Sequence, residues 1–227
     1  EFVQKVSHDL RTPLTSIKMF VETLQGGRIA DPDKVSECLD ILSRETDRLT
    51  AMVERLLEWA RMEAGARGYQ PERVSVNEVI DGALRGLEVQ VKLGGLEDVT
   101  TVRKEIAENL PQLEVDPEAI SEALLNVMSN ALRFTRRESK EIGVRAVQHE
   151  REIYITISDN GPGIPQHAQS KIFEKFYRVV DPALPDVPGT GLGLAMVHHI
   201  VRAHRGRVSV VSEGQGASFQ IVLPVAP

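Results

Sequence analysis

Cysteine is almost absent: Cys38 is the single one in 227 residues, so no disulfide can close within the chain and no cysteine-built zinc cluster can assemble. The expected role of Cys38 is that of a small apolar residue in a helix. Long apolar runs are missing too. No window approaches the ~20 uninterrupted apolar residues of a bilayer span, and the N-terminus lacks a basic-then-apolar leader pattern, so the chain as given reads as a soluble piece. There is no positive excess. Lys plus Arg total 27 against 33 Asp plus Glu, a formal charge of -6, which is the wrong sign for a protein that binds phosphate backbones non-specifically, and nucleic acid is excluded as the expected partner. What is present is ordinary for a folded protein: 41% hydrophobic and 26% charged residues, with no low-complexity tract and enough length for one large or two modest domains.

Val3, Val6, Leu10, Leu14, Ile17, Val21 and Leu24 recur at three- and four-residue steps and predict an amphipathic first helix. After Gly26-Gly27, Asp31-Pro32 supplies an N-cap and a first-turn proline. Val35, Leu39, Leu42, Thr46, Leu49, Val53, Leu56 and Ala60 then alternate by four and three, a heptad seam. Two helices cannot cover both seams, and a second copy of the hairpin, giving a homodimeric four-helix bundle, is the economical solution. Burial of that face by the rest of the chain is the alternative. Residues 65–71 carry Gly, Ala, Arg and Pro without apolar periodicity, which divides the chain into domains at 1–66 and 67–227. Past that point, strand-like runs at 73–76, 142–147, 153–158, 208–211 and 218–223 alternate with helical stretches, predicting an α/β domain. Its best-marked helix starts at Asp116-Pro117, buries Ile120, Leu124, Val127 and Ala131, and carries Asn126 and Asn130 on the other face.

Four segments carry chemistry. On the first helix, Ser7-His8-Asp9-Leu10-Arg11-Thr12-Pro13-Leu14 puts His8 outside the apolar stripe with Arg11 and Thr12 one turn away. Neutral imidazole is a competent nucleophile toward phosphorus, and Asp9 is the candidate to orient it and take its second proton. On the later helix, Asn126, Asn130 and Arg133 form a polar strip suited to polyphosphate and Mg²⁺, which is commonly held by one or two protein oxygens plus the phosphates. The run 153–158 leads into Asp159-Asn160-Gly161-Pro162-Gly163-Ile164, where glycines admit a flat ligand and Asp159 can accept from an exocyclic amine. Gly189-Thr190-Gly191-Leu192-Gly193-Leu194 precedes a helix expected over 195–204, whose free amides can meet phosphate oxygens. That glycine order differs from the dinucleotide-binding fingerprint and has no P-loop lysine. Between the two glycine segments, residues 172–178 and the Pro-rich 181–188 read as a mobile lid.

In these segments the chain resembles the catalytic core of bacterial two-component sensor histidine kinases, over nearly its whole length. Residues 7–14 match the phosphoacceptor box, 126–135 the asparagine box, 159–164 and 189–194 the two glycine boxes, 172–178 the phenylalanine box and 214–219 the last glycine motif. The resemblance implies a dimerisation and phosphotransfer hairpin joined to a Bergerat-type ATP-binding domain, a two-layer α/β sandwich with a mixed sheet. It makes His8 the acceptor of the γ-phosphoryl group of ATP, Asp9 the base, and Thr12 the residue that positions water to hydrolyse a phosphorylated partner. Asp159 would bind the adenine amine, and Asn130 and Asn126 would hold Mg²⁺ and phosphate. Arg133 and Arg178 would meet phosphate charge, while Gly161, Gly163, Gly189, Thr190, Gly191, Leu192 and Gly193 shape pocket and lid. Ser218 stands where a hydroxyl near adenine is expected. The implied partner is the receiver domain of a response regulator, phosphorylated on aspartate. The implied location is cytoplasmic, with sensing or membrane segments upstream. Asp9 in place of the commoner Glu, Arg133 and Phe134 in place of Lys and Tyr, and Arg205 interrupting a double glycine depart from the family pattern without removing a required group. A nucleotide-binding scaffold without kinase activity, a phosphatase-dominant member and a gyrase-like ATPase are the rival readings.

Overall fold

Two long helices make up the first unit, Glu1–Arg67, and the rest of the chain, Gly68–Pro227, forms the second. The computed structural model describes residues 2–27, 29, 31–135, 138–179 and 189–226. Helix α1 (Phe2–Gln25) contains Pro13, which has no amide proton and so leaves the Asp9 carbonyl without its usual helical donor. Helix α2 (Pro32–Glu63) begins as its sequence dictates: Asp31 caps it by accepting from the Asp33 amide, and Pro32 occupies the first turn. Trp59 Nε1 donates to Glu63 one turn further on at 3.2 Å.

The apolar surface of α2 is wider than the predicted seam. Cys38, Met52, Trp59 and Met62 are buried, and Val35, Leu42, Leu49 and Leu56 are half-buried. The other predicted seam positions, Leu39, Thr46, Val53 and Ala60, face outward, with Leu39 54% exposed. On α1, Leu14 is likewise 51% exposed, while Leu10, Ile17 and Leu24 are half-buried. One neighbouring helix can cover only part of so broad a stripe, and within the hairpin the covered side runs through Cys38, Met52 and Trp59.

In the second unit, β1 (Glu72–Val74) is followed at once by α3 (Val76–Leu93), because the Ser75 hydroxyl accepts from the Glu78 amide and caps the helix. The strand run predicted to reach residue 76 therefore stops short. Strand β2 (Thr100–Ile106), strand β3 (Leu113–Val115), helix α4 (Pro117–Phe134), β4 (Lys140–His149), β5 (Glu152–Asp159), the short α5 (Gln166–Gln169), α6 (Gly193–Ala203), β6 (Arg207–Val211) and β7 (Ser218–Pro224) complete it. β1 and β3 pair as an antiparallel ribbon. The main sheet runs β2-β4-β5-β7-β6 and is mixed, since β2 is parallel to β4 and every other neighbour is antiparallel.

Alternation fixes which face is covered. Ile142, Val144 and Ala146 of β4, Ile153, Ile155 and Ile157 of β5, and Phe219, Ile221 and Leu223 of β7 are all buried. They form one side of the core, against the buried stripes of α4 and α6. Helix α3 packs on α4, and α4 on α6, making a two-layer sandwich with the helices on one side. No helix among the described residues is long and apolar enough to cross a membrane.

Candidate functional site

Helix α4 is the spine of the site. Asp116 caps it, its Oδ1 accepting from the Ala119 amide at 3.0 Å, and Pro117 fits the first turn. With Ile120, Leu124, Val127 and Ala131 buried, the helical repeat leaves Asn126 and Asn130 half-buried on the opposite strip, and Arg133 exposed one turn on. The C-terminal end is held by a buried cation. Lys140, 4% exposed, donates its ammonium to the carbonyls of Leu132 at 2.8 Å and Thr135 at 2.7 Å, a favourable charge at the negative end of the helix. The Thr135 hydroxyl donates back to the Ala131 carbonyl at 2.6 Å.

Asp159 ends β5 on the helix-facing side. Its Oδ1 accepts from the amides of Gly161 at 2.8 Å and Ala217 at 3.3 Å. Burial raises its carboxyl above the ordinary carboxylate range, and those two amides only partly offset that. The first glycine turn is locked to the last: the Gly216 amide donates to the Gly161 carbonyl at 2.7 Å, and the Asp159 amide to Ala217 at 3.0 Å. Space here is reserved for backbone. A Cβ on Gly161 would sit 2.8 Å from Asp159 Oδ1 and 3.6 Å from Thr135 Oγ1, which sets the carboxylate turn beside the end of α4.

The second glycine segment lies along the same helix. A Cβ on Gly193 would lie 3.5 Å from Asn126 Oδ1, and one on Gly189 3.5 Å from an Arg133 guanidinium nitrogen. Gly191 adopts φ +67° and approaches the Phe176 backbone within 2.8 Å of where its Cβ would be; the Phe176 amide donates to the Gly191 carbonyl at 2.9 Å. Thr190 and Leu192 are buried, and the Leu192 amide donates to the Thr190 hydroxyl at 3.4 Å. Helix α6 then starts at Gly193, two residues earlier than predicted. Arg178, the last residue of the phenylalanine segment, is half-buried.

The strip Asn126, Asn130, Arg133 is therefore flanked by Gly189–Gly193 on one side and the Asp159–Gly161 turn at its end. Amide oxygens and a guanidinium there suit phosphates and a hard cation. No group of three or more His, Cys, Asp or Glu side chains suited to metal occurs among the described residues, so the donors available for Mg²⁺ are amide oxygens, which fit it in company with phosphate. Gly163, at φ +81°, packs against Gly214 and Ser212. It also lines a cavity of about 570 Å³ between residues 162–169 and 211–214, which includes neither Asp159 nor the Asn strip.

Ser218 requires correction. It pairs with Ser158 and Val211 in the sheet, one residue out of phase with Phe219, Ile221 and Leu223, so its side chain leaves the helix-facing side. The residue of that turn that reaches Asp159 is Ala217, through its amide. Residues missed from sequence are Lys140, Thr135 as a structural partner, and Asn160, which accepts from the Glu141 amide at 2.8 Å and donates to the Ser139 carbonyl at 3.2 Å. An Asn directly after the Asp was the one visible signal; nothing local marks Lys140.

In the first unit, His8 and Asp9 belong to α1, and their side chains lie outside the described residues. Thr12 is exposed and Pro13 buried. The lid expected over 181–188 also lies outside the described residues.

Residues 1–65 match the His Kinase A (phospho-acceptor) domain, and residues 115–227 the histidine kinase-, DNA gyrase B-, and HSP90-like ATPase family. The chain is similar to the sensor protein kinase WalK of Staphylococcus saprophyticus, 36% identical over 99% of this chain and 36% of that protein; it thus spans about a third of the length of such curated relatives. The mycobacterial sensor histidine kinase MprB is 31% identical, with a TM-score of 0.59 over 69% of this chain and 99% of that one. The histidine kinase ThkA, solved in complex with the response regulator protein TrrA, shares the fold with a TM-score of 0.78, at 22% identity over 100% of this chain and 62% of that one.

Proposed function

The chain belongs to the two-component sensor histidine kinases, as their catalytic core, and from that premise we propose that it transfers the γ-phosphoryl group of ATP to His8 and passes it to an aspartate of a response regulator receiver domain. The observation that carries this reading is the polar strip of Asn126, Asn130 and Arg133, bordered by the Asp159 turn and by Gly189–Gly193, in a chain whose first helix contains the sequence His8-Asp9-x-x-Thr12. Asp159 accepts from the adenine amine. Asn126 and Asn130 hold phosphate oxygens and Mg²⁺, which when bound neutralises charge on the phosphates; Arg133 and Arg178 add positive charge to the same end. The glycines at 161, 163, 189, 191 and 193, with Thr190 and Leu192, shape the walls.

One imidazole nitrogen of His8 attacks the γ-phosphorus in line with the bridging oxygen, whose bond to phosphorus breaks as ADP leaves, and Asp9 takes the proton from the other nitrogen. Because the transition state is loose, positioning and charge neutralisation supply most of the acceleration. The resulting N–P bond is reactive enough to phosphorylate a carboxylate. Thr12, one turn from His8, then positions water for the reverse duty of dephosphorylating the regulator. A second copy of the chain covers Leu14, Leu39, Val53 and Leu57, which are among the apolar side chains that the hairpin leaves exposed.

The test is uptake of label from γ-labelled Mg-ATP. Acid-labile, alkali-stable phosphate is expected on the wild-type chain, and His8→Gln should reduce it at least a thousandfold, to background, with ADP affinity unchanged. Label that persists in that variant overturns the assignment. Mixed dimers of His8→Gln and Asn130→Ala chains then tell whether each His8 is served by its own nucleotide unit or the partner's.

A further inference from the structure

His204 is a buried imidazole that the proposed chemistry does not use. It is 6% exposed and ends α6. Its Nδ1 lies 2.7 Å from the Ile200 carbonyl, and its Nε2 accepts from the Asp116 amide at 3.1 Å. A carbonyl can only accept, so the proton sits on Nδ1, and the Nε2 lone pair takes the Asp116 N–H. The Tyr69 ring meets this imidazole edge-on, with centroids 4.9 Å apart and planes at 68°.

Asp116 is a junction as well. It caps α4 through Oδ1, while its Oδ2 accepts from the Gln70 amide at 3.0 Å. Three things therefore meet at one ring: the end of the helix that starts in the second glycine segment, the start of the helix that carries Asn126 and Asn130, and the first residues of the second unit. A helix transmits an axial displacement along its length. Asn126 lies ten residues, roughly 15 Å, beyond Asp116 on a continuous α4, so a shift at the cap is delivered whole to the amide strip. Asn126 Oδ1 stands 3.5 Å from where a Cβ on Gly193 of the neighbouring helix would lie, so the asparagine strip and the start of α6 are direct neighbours.

We propose that His204 is a positioning residue for phosphoryl transfer: by bonding the end of α6 to the cap of α4, it sets the offset between the asparagine strip and the second glycine segment. The inference rests on the kinase reading above. Displacing reacting groups by as little as 1 Å can cost about a hundredfold in rate, whereas nucleotide affinity, spread over many contacts, is less sensitive.

The experiment compares His204→Phe, which keeps an aromatic ring against Tyr69 but loses both hydrogen bonds, with His204→Gln, whose amide oxygen can accept from Asp116. Both are made in the full 227-residue chain and assayed for labelling at saturating Mg-ATP, with ADP affinity measured by calorimetry. His204→Phe should label roughly 10- to 100-fold more slowly with ADP affinity within threefold of wild type, and His204→Gln should recover to within about threefold of the wild-type rate. If the Phe variant does not fold, His204→Asn replaces it with the same expectation, since its shorter amide can reach Ile200 but not Asp116. Wild-type labelling rates in the variant lacking the Asp116 bond, parallel loss of ADP binding, or no recovery by Gln would each overturn the inference and leave the kinase reading intact. A wild-type chain that takes up no label would overturn both.

Discussion

The hairpin and the α/β unit bury their apolar side chains to different extents. In the second unit, Ile80, Leu87, Leu113, Ile120, Leu124, Met128, Ile142, Ile153, Ile155, Ile157 and Leu192 are each less than 2% exposed, and sheet and helices close on one another. In the first, Met62 alone among the large described side chains is buried to that degree, while α1 and α2 leave Leu14, Met19, Val21, Leu39, Val53 and Leu57 exposed, and of these Leu57 is 56% accessible. A sheet covered by three helices is self-sufficient. A pair of helices with a stripe too broad for one neighbour leaves apolar surface to be covered. The proposed site follows the same division: every group proposed to hold nucleotide sits on the unit with the closed core, while His8 sits on the unit that leaves more of its apolar stripe uncovered.

The sharpest challenge to that contrast is a pair of leucine truncations. Leu124→Ala, in the closed core, should cost about 2–5 kcal/mol in urea unfolding of the second unit. Leu57→Ala should change the stability of the lone chain by less than about 0.5 kcal/mol yet raise the concentration at which the dimer dissociates, read by sedimentation. Equal costs at both positions, or unaltered self-association, would break the comparison. A smaller effect is expected at Lys140. Lys140→Met leaves the Leu132 and Thr135 carbonyls without their buried donor, and should destabilise the second unit by about 1–3 kcal/mol, seen as earlier hydrogen exchange at the end of α4.

Asp159 should show the smallest and oppositely signed effect. Because burial raises its carboxyl, the folded chain retains this proton over a pH range in which the unfolded chain has released it. Stability is therefore lost as pH rises from the ordinary Asp value of about 3.9 through the raised one. Asp159→Asn removes that dependence, so the nucleotide-free variant should melt a few degrees above the parent at neutral pH, the gap closing in acid, while its ATP affinity falls. A variant that melts lower at neutral pH would show that the carboxylate is stabilising in the empty site.

Much of this was readable from local signals. Asp31-Pro32 and Asp116-Pro117 start helices where a cap followed by a first-turn proline requires it. The runs at 142–147, 153–158, 208–211 and 218–223 fall inside β4, β5, β6 and β7, because a strand with one covered or half-covered face shows apolar alternation, as even the edge strand β6 does. β2 did not: Thr-Thr-Val-Arg-Lys-Glu-Ile is an edge strand whose middle residues are all exposed, so no apolar face marks it, and its parallel pairing with β4 is a long-range choice. Three-residue β3 is too short to carry a period. In the candidate site, residue type and spacing single out Asp159 and the asparagine strip, which the structure places near one another, but they carry no register for Ser218, and one step along a strand exchanges the two faces. Lys140 bonds backbone carbonyls five and eight residues upstream, and His204 bonds the amide of Asp116, 88 residues away; backbone partners leave no side-chain pattern to read.

The crowded glycines change how loss-of-binding data from this protein are to be read. At Gly191 a methyl group would meet the Phe176 backbone at 2.8 Å, and at Gly163 and Gly216 it would run into the Gly214 and Asp159 carbonyls, all three at left-handed φ. An alanine scan across these loops will score all three as hits. Each hit will report a wall pushed out of place, not a contact removed from the ligand. Contacts should therefore be mapped by altering the nucleotide, with deaza and deoxy analogues against an intact protein.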